Sequence, residues 1–167
     1  MTTVTARVAR LTESDWQVFA GVRLRALTDS LGANDPQCQQ ESTVTAAQWR
    51  RRLRDHAQFA ALIGNRPVGL IGAQHENAET VYLYSLWLDP AARGHGLARS
   101  LVATAVDWAR NCRARTVTLR VALDNAVARG VYESLGFAVG TAETASPRGE
   151  VAMSLRLLTA EAANCKG

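Results

Sequence analysis

Lysine is almost missing from this chain: Lys166 stands alone against eighteen arginines in 167 residues. Cysteine is sparse too. Cys38, Cys112 and Cys165 are an odd number without Cys-x-x-Cys spacing, which argues against a disulfide framework or a metal site and fits a reducing compartment. No apolar run approaches the roughly 18 residues that cross a bilayer. The opening Met1-Thr2-Thr3-Val4-Thr5 lacks the basic-then-apolar layout of a secretory leader, so a cytoplasmic location without a membrane partner is expected. Gly-Lys-Ser and Gly-Lys-Thr do not occur, which removes the nucleoside-triphosphate loop. Repeats with a period of about 20 to 50 residues are absent as well.

What is present describes an ordinary globule. Hydrophobic residues make up 47% and charged residues 20%, with a mean hydropathy of -0.09. The length suits one domain that buries about 70% of the surface of its unfolded chain. Net charge is +4 and the sequence pI is about 9.4. Guanidinium matches phosphate oxygens bidentately, so the arginine excess favours a phosphate-bearing partner, nucleic acid or phosphorylated cofactor. A GC-rich genome would account for most of the arginines without any such partner.

Apolar spacing and turn residues predict a strand over 5–11 and, capped by Thr12 or Ser14, a helix over 16–27. A second helix is expected over 45–55, thinly apolar with Trp49 and Leu53 inward. Strands follow over 59–63 and 68–74, joined by a turn at Gly64-Asn-Arg-Pro67, and over 81–88, the last covered on both faces. The clearest helix is 96–112. Next come a strand over 116–122, a helix over 126–135 stopped by Gly136, and a strand pair over 137–144 and 151–157. Residues 29–43 and those after 159 read as least structured. The composite is a mixed α/β sheet with helices on both faces.

The most informative residues are Leu88-Asp-Pro-Ala-Ala-Arg-Gly-His-Gly-Leu-Ala98, between a buried strand and the strongest helix. Gly94 and Gly96 let backbone N–H groups approach a ligand, and the first turn of the helix offers unpaired donors and partial positive charge to phosphate. A dinucleotide fingerprint is excluded, because Arg99 replaces its third glycine and Arg115-Thr116 stand where an acidic residue belongs. A tight strand-to-helix turn without a ligand is the plainer alternative.

Arg93-Gly94-His95-Gly96-Leu97-Ala98 fits R/Q-x-x-G-x-G/A, and with it the chain resembles the GNAT superfamily of acyl-CoA-dependent N-acyltransferases. The resemblance continues through Leu119-Arg-Val-Ala-Leu-Asp-Asn125, Ala128 and Val131-Tyr-Glu-Ser-Leu-Gly-Phe137, and covers most of residues 5–157. It implies a mixed, mostly antiparallel sheet of six to seven strands with about four helices. It also implies one N-acetyltransferase domain over 1–159 with a tail over 160–167, compatible with a homodimer. The implied co-substrate is acetyl-CoA, with no metal. The pantetheine arm falls to backbone groups at Leu86, Trp87 and Leu88. The pyrophosphate falls to Arg93, Gly94, His95, Gly96, Leu97 and Ala98, with Arg99 and Ser100 next, and Asn125 adds a cofactor contact. Tyr132 takes the place of the general acid. Asn125 as a helix cap and Tyr132 as a core aromatic are the structural alternatives.

Acyl transfer to an amine needs a base, and here the chain departs from many relatives: residues 81–88 contain no carboxylate. His75, Glu76, Glu79, or a water held by Tyr84 and Ser85 remain as candidates. His75 has the side-chain type best suited to base work near neutrality, but a histidine at a strand end is commonly a solvated surface residue. Two other function classes compete with acetylation of a small-molecule or peptide amine. One is a catalytically silent acyl-CoA binder of the same fold. The other is nucleic-acid binding through Trp49-Arg-Arg-Arg-Leu-Arg54, which a solvated helix face explains more simply. The acceptor side, expected around 30–45 and 142–150, carries no motif.

Overall fold

The computed structural model describes residues 5–140 and 149–157. Strand β1 (Ala6–Leu11) ends in a capping box, where the Thr12 N–H donates to Asp15 Oδ2 at 2.8 Å, and helix α1 (Trp16–Leu31) follows. It runs four residues past the expected end, until Gly32 at φ 91° stops it. A short helix α2 (Pro36–Glu41) then occupies part of the stretch that the sequence marks as least structured. Its start is conventional, with Pro36 in the first turn and Asp35 Oδ1 accepting the Gln37 N–H at 2.8 Å. Helix α3 (Ala46–Asp55) opens on a Thr45/Gln48 capping box and buries only Trp49 and Leu53, as its thin apolar stripe requires.

Strands β2 (Ala57–Ile63), β3 (Arg66–His75) and β4 (Thr80–Leu88) form an antiparallel meander with β1. Helix α4 (Leu97–Asn111), strand β5 (Thr116–Ala122) and helix α5 (Ala126–Ser134) lead to β6 (Ala138–Val139) and β7 (Glu150–Arg156). The expected final pair is thus present in part, and 141–148 lie outside the described residues. The seven strands lie in the order β1-β2-β3-β4-β5-β7-β6, antiparallel except for β4 beside β5.

Alternation along the strands feeds two cores. On one face α4 and α5 bury Leu101, Val102, Ala105 and Tyr132 against Val81, Leu83, Val117 and Leu119. On the other, α1 and α3 bury Phe19, Val22, Trp49 and Leu53 against Ala60, Leu70 and Trp87. Strand β4 serves both, which is why its sequence is apolar almost throughout.

Candidate active site

The single parallel pairing is short. Strand β4 meets β5 only at Thr80↔Thr116, Val81↔Val117 and Tyr82↔Thr118, whereas β5 pairs with β7 along its whole length. Beyond Tyr82 the two halves of the sheet part, and the β4 edge over 83–88 has no strand beside it among the described residues. Unpaired backbone donors and acceptors on such an edge can receive an extended ligand as an added strand. Leu86, Trp87 and Leu88 stand on that edge.

A bulge interrupts β4 at the same level. Leu70 pairs with Trp87 and Gly72 with Tyr84, so two steps along β3 match three along β4. Ser85 takes up the extra residue at φ 57°, a conformation that strains a side chain other than glycine. The extra residue also resets the pleat. Tyr84 faces the α1–α3 side, yet after the bulge Leu86 and Leu88 return to the α4 core and Trp87 to the α1 core.

At the end of β4 the chain turns through Asp89–Ala92 into the glycine loop. Gly94 and Gly96 have φ of 86° and 79°, and open space lies where a Cβ would project from either. Gly96 is the N-cap of α4 and supplies no capping side chain, so the first-turn N–H groups of Leu97, Ala98 and Arg99 have no side-chain partner at that position. His95 is exposed and Leu97 is buried. The Ser100 hydroxyl donates to the Gly96 carbonyl at 3.2 Å. Arg93 is tied back, its Nε donating to the Leu88 carbonyl and its Nη2 to Asp29 Oδ2, each at 3.1 Å. Arg99 Nε reaches Ser134 Oγ at 3.3 Å and bridges α4 to α5. Asn125 caps α5, accepting the Ala128 N–H at 3.1 Å. Tyr132 is buried against Phe137, and burial, with a smaller effect of Tyr82, pushes its phenol up to about 12.

On the opposite face of the sheet, beside the bulge, α1, α2, α3 and β2–β4 enclose a cavity of about 330 Å³ lined by Phe19, Leu70, Tyr84 and Ser85, with charged and polar groups around them. Buried Glu41 accepts from Arg23 Nη2 at 3.2 Å, Arg52 Nη1 at 2.6 Å and Gln37 Nε2 at 3.3 Å. Burial alone would raise its pKa, but the Arg52 and Arg23 hydrogen bonds and charges outweigh it and hold the carboxyl below the ordinary glutamate value. Arg23 Nη1 donates to Ser85 Oγ at 3.1 Å, linking this ion group to the bulge.

Tyr84 OH lies 2.8 Å from His56 Nδ1 and accepts the Gln58 amide N–H at 2.8 Å. Because the Gln58 nitrogen only donates, the Tyr84 proton is free to point at His56, which leaves one oxygen lone pair without a partner on a residue that lines the cavity. Burial pushes the Tyr84 phenol up more than the Gln58 hydrogen bond lowers it, so it stays neutral. Gly72 leaves room for that ring: a Cβ there would stand 2.5 Å from Tyr84 Cζ.

The other base candidates lie elsewhere. His75 packs on Trp108 of α4 with ring centroids 5.3 Å apart, on the face away from the cavity. Glu76 and Glu79 flank the closed end of the sheet, where the Glu79 carbonyl accepts the Arg115 and Thr116 N–H groups. The arginine run of α3 is paired within the chain: Arg50 over Trp16, Arg51 with Asp55, Arg52 with Glu41 and Arg54 with Glu13. His56, Gln58, Arg23, Glu41 and Arg52 carry no sequence motif, and only the Asp35-Pro36 start of α2 signals that Glu41 belongs to an ordered element.

The acetyltransferase (GNAT) family model matches residues 24–137. The chain is 40% identical over 74 residues to a mycothiol acetyltransferase of Acidothermus cellulolyticus, covering 44% of this chain and 22% of that protein. It is 26% identical over 95 residues to an uncharacterized N-acetyltransferase of Methanocaldococcus jannaschii, covering 53% and 42%. The chain thus spans less than half the length of these curated relatives. Among solved structures, the PaiA N-acetyltransferase of Thermoplasma acidophilum in complex with coenzyme A superposes with a TM-score of 0.71 at 13% identity, over 92% of this chain and 99% of that one. A putative acetyltransferase of Salmonella typhimurium with acetyl-CoA gives 0.67 at 21% identity, over 94% and 95%. These likenesses establish the fold.

Proposed function

The chain belongs to the acetyltransferase (GNAT) family, and from that premise we propose that residues 1–159 form one acetyl-CoA-dependent N-acetyltransferase unit acting on a primary amine by direct attack in a ternary complex. The observation that carries the reading is the parting of β4 from β5 beside an uncapped, glycine-opened start of α4. The residues present fit an acyl-CoA: a free strand edge for a pantetheine amide, backbone N–H groups for a pyrophosphate, and space in front of Gly94 and Gly96. When bound, the thioester supplies an activated acyl carbon.

The chain's own groups then divide the work. A main-chain N–H at the bulged edge of β4 polarises the acyl carbonyl, in the manner of an oxyanion hole. Arg93 and Arg99 flank the phosphate seat, held in place by Leu88, Asp29 and Ser134. Tyr132 stays protonated at any working pH, and so can donate to the departing sulfur. Moving its proton from a phenol at about 12 to a thiolate near 8.5 is uphill by about 5 kcal/mol, less where the thiolate is itself desolvated.

The acceptor arrives as an ammonium; for a lysine-like amine of pKa near 10.4 only about one molecule in two thousand is neutral at pH 7. Tyr84 and His56 supply the missing base. The ammonium N–H bond breaks towards Tyr84 Oη while the Tyr84 proton passes to His56 Nδ1, leaving a neutral amine and an imidazolium; the second proton that the nitrogen sheds as the amide forms goes to solvent, from which the Tyr132 phenol is restored. Histidine at the α3–β2 junction thereby replaces the carboxylate absent from β4.

Thiol release from acetyl-CoA over an amine panel tests this, and release is expected only with both substrates present. His56→Ala and Tyr84→Phe should each lower kcat about 100-fold while acetyl-CoA still binds. Acetyl-CoA binding without release from any amine would instead mark a silent binder.

A further inference from the structure

We propose that the acceptor amine carries a carboxylate, and that Arg52, with Arg23, seats that carboxylate in the cavity between α1, α2 and α3. The inference rests on the acetyl-transfer reading and names its substrate class.

The charge of the cavity points this way. Among the described residues that line it, two guanidiniums, Arg23 and Arg52, stand against one carboxylate, Glu41. Glu41 is already committed to both arginines and to Gln37. A second positive group on an acceptor would find no uncommitted carboxylate there. A single negative group would balance the surplus.

Arg52 is the better anchor of the two. Arg23 spends Nε and Nη2 on Glu41 and Nη1 on Ser85. Arg52 spends only Nη1 among the described residues, so its Nε–Nη2 edge keeps the two parallel donors that match a carboxylate. Glu41 on one side and the Trp49 ring, 4.8 Å below its Cζ, hold the guanidinium in place before any ligand arrives. Its side chain remains 42% exposed, so the guanidinium is not sealed in the core.

The seat and the bulge belong to one row of groups. Arg23 bridges Ser85 to Glu41, and Glu41 in turn holds Arg52, so the row runs from the bulge and the Tyr84 hydroxyl, where the amine must lie, to the anion seat. An amine with a carboxylate at its far end matches that row, whereas a diamine would set its second charge against Arg52. The cavity, about 330 Å³, is sized for such a molecule, with Phe19 and Leu70 as an apolar wall for its side chain.

The test compares three forms of each skeleton: common L-amino acids and ω-amino acids from β-alanine upward, their amides, and the decarboxylated amines, with thiol release from acetyl-CoA as the readout. The best amino acid should exceed its amide and its amine about tenfold or more in kcat/KM, and added NaCl should shrink that ratio. Arg52→Gln should bring the ratio near one, chiefly through KM, and Arg52→Lys should restore part of it. Preference for the amide or for a diamine would overturn the inference while leaving acetyl transfer intact, as would an Arg52→Gln protein that keeps the ratio. Should that variant not fold, the ratio in the wild-type protein and its salt dependence decide. No release with any amine would overturn the acetyl-transfer reading, and this inference with it.

Discussion

Glu41 accepts from Arg23, Gln37 and Arg52 at once, and its stabilisation has a definite pH window. Its folded pKa lies below the unfolded value of about 4.3, so the contribution is fully present above that value and is lost as pH falls through the folded pKa. Glu41→Gln should cost about 2 kcal/mol at pH 7. That is less than a fully buried pair would lose, because the Arg52 side chain is 42% exposed. Denaturant unfolding of both proteins from pH 7 to about pH 3 checks this: the difference should hold above about pH 5 and shrink below it. A gap that persists unchanged at pH 3 would contradict the assignment. At this scale the sequence spoke unevenly. The place of Tyr132 was legible because a motif fixes its spacing from Gly136-Phe137, while that of His56 was not, because its contact with Tyr84, 28 residues away, exists only once the two are folded together.

Among the elements, α4 and β5 were legible nearly to the residue. Each has one clean apolar period, and the covering core agrees with it. Helix α2 was not, because six residues are too few for a period to show, although Asp35 and Pro36 mark its start. The β4 bulge was likewise hidden: Ser85 carries no mark of a left-handed backbone, and the register shift comes from pairing with β3. Gly72 is the companion of that bulge on β3. Gly72→Ala would set a Cβ 2.5 Å from Tyr84 Cζ and 3.0 Å from Gln58 Oε1, against a ring held by two hydrogen bonds. We expect a loss of about 1–3 kcal/mol in stability with a fall in kcat, read by thermal unfolding and thiol release. Unchanged activity in a folded Gly72→Ala protein would show that the Tyr84 position is not critical.

Across the whole molecule, two half-sheets share three residue pairs between β4 and β5 and then diverge, so the gap between them is a property of topology. Local sequence signalled it only through the loop motif that follows β4. The arginine excess reads differently at this scale as well. Arginines of α1 and α3 are taken up by Glu41, Asp89, Asp55 and Glu13, with Arg50 over Trp16, so the proposed phosphate seat falls to backbone groups flanked by Arg93 and Arg99. Acetyl transfer as proposed requires that this gap receive acetyl-CoA. A crystal structure grown with acetyl-CoA tests it most directly. The pantetheine arm should lie along Leu86–Leu88, with the pyrophosphate on the N–H groups of Gly94–Ala98 and the sulfur facing Tyr132. A structure with β4 and β5 paired past Tyr82 and Thr118, or with the cofactor bound elsewhere, would contradict it.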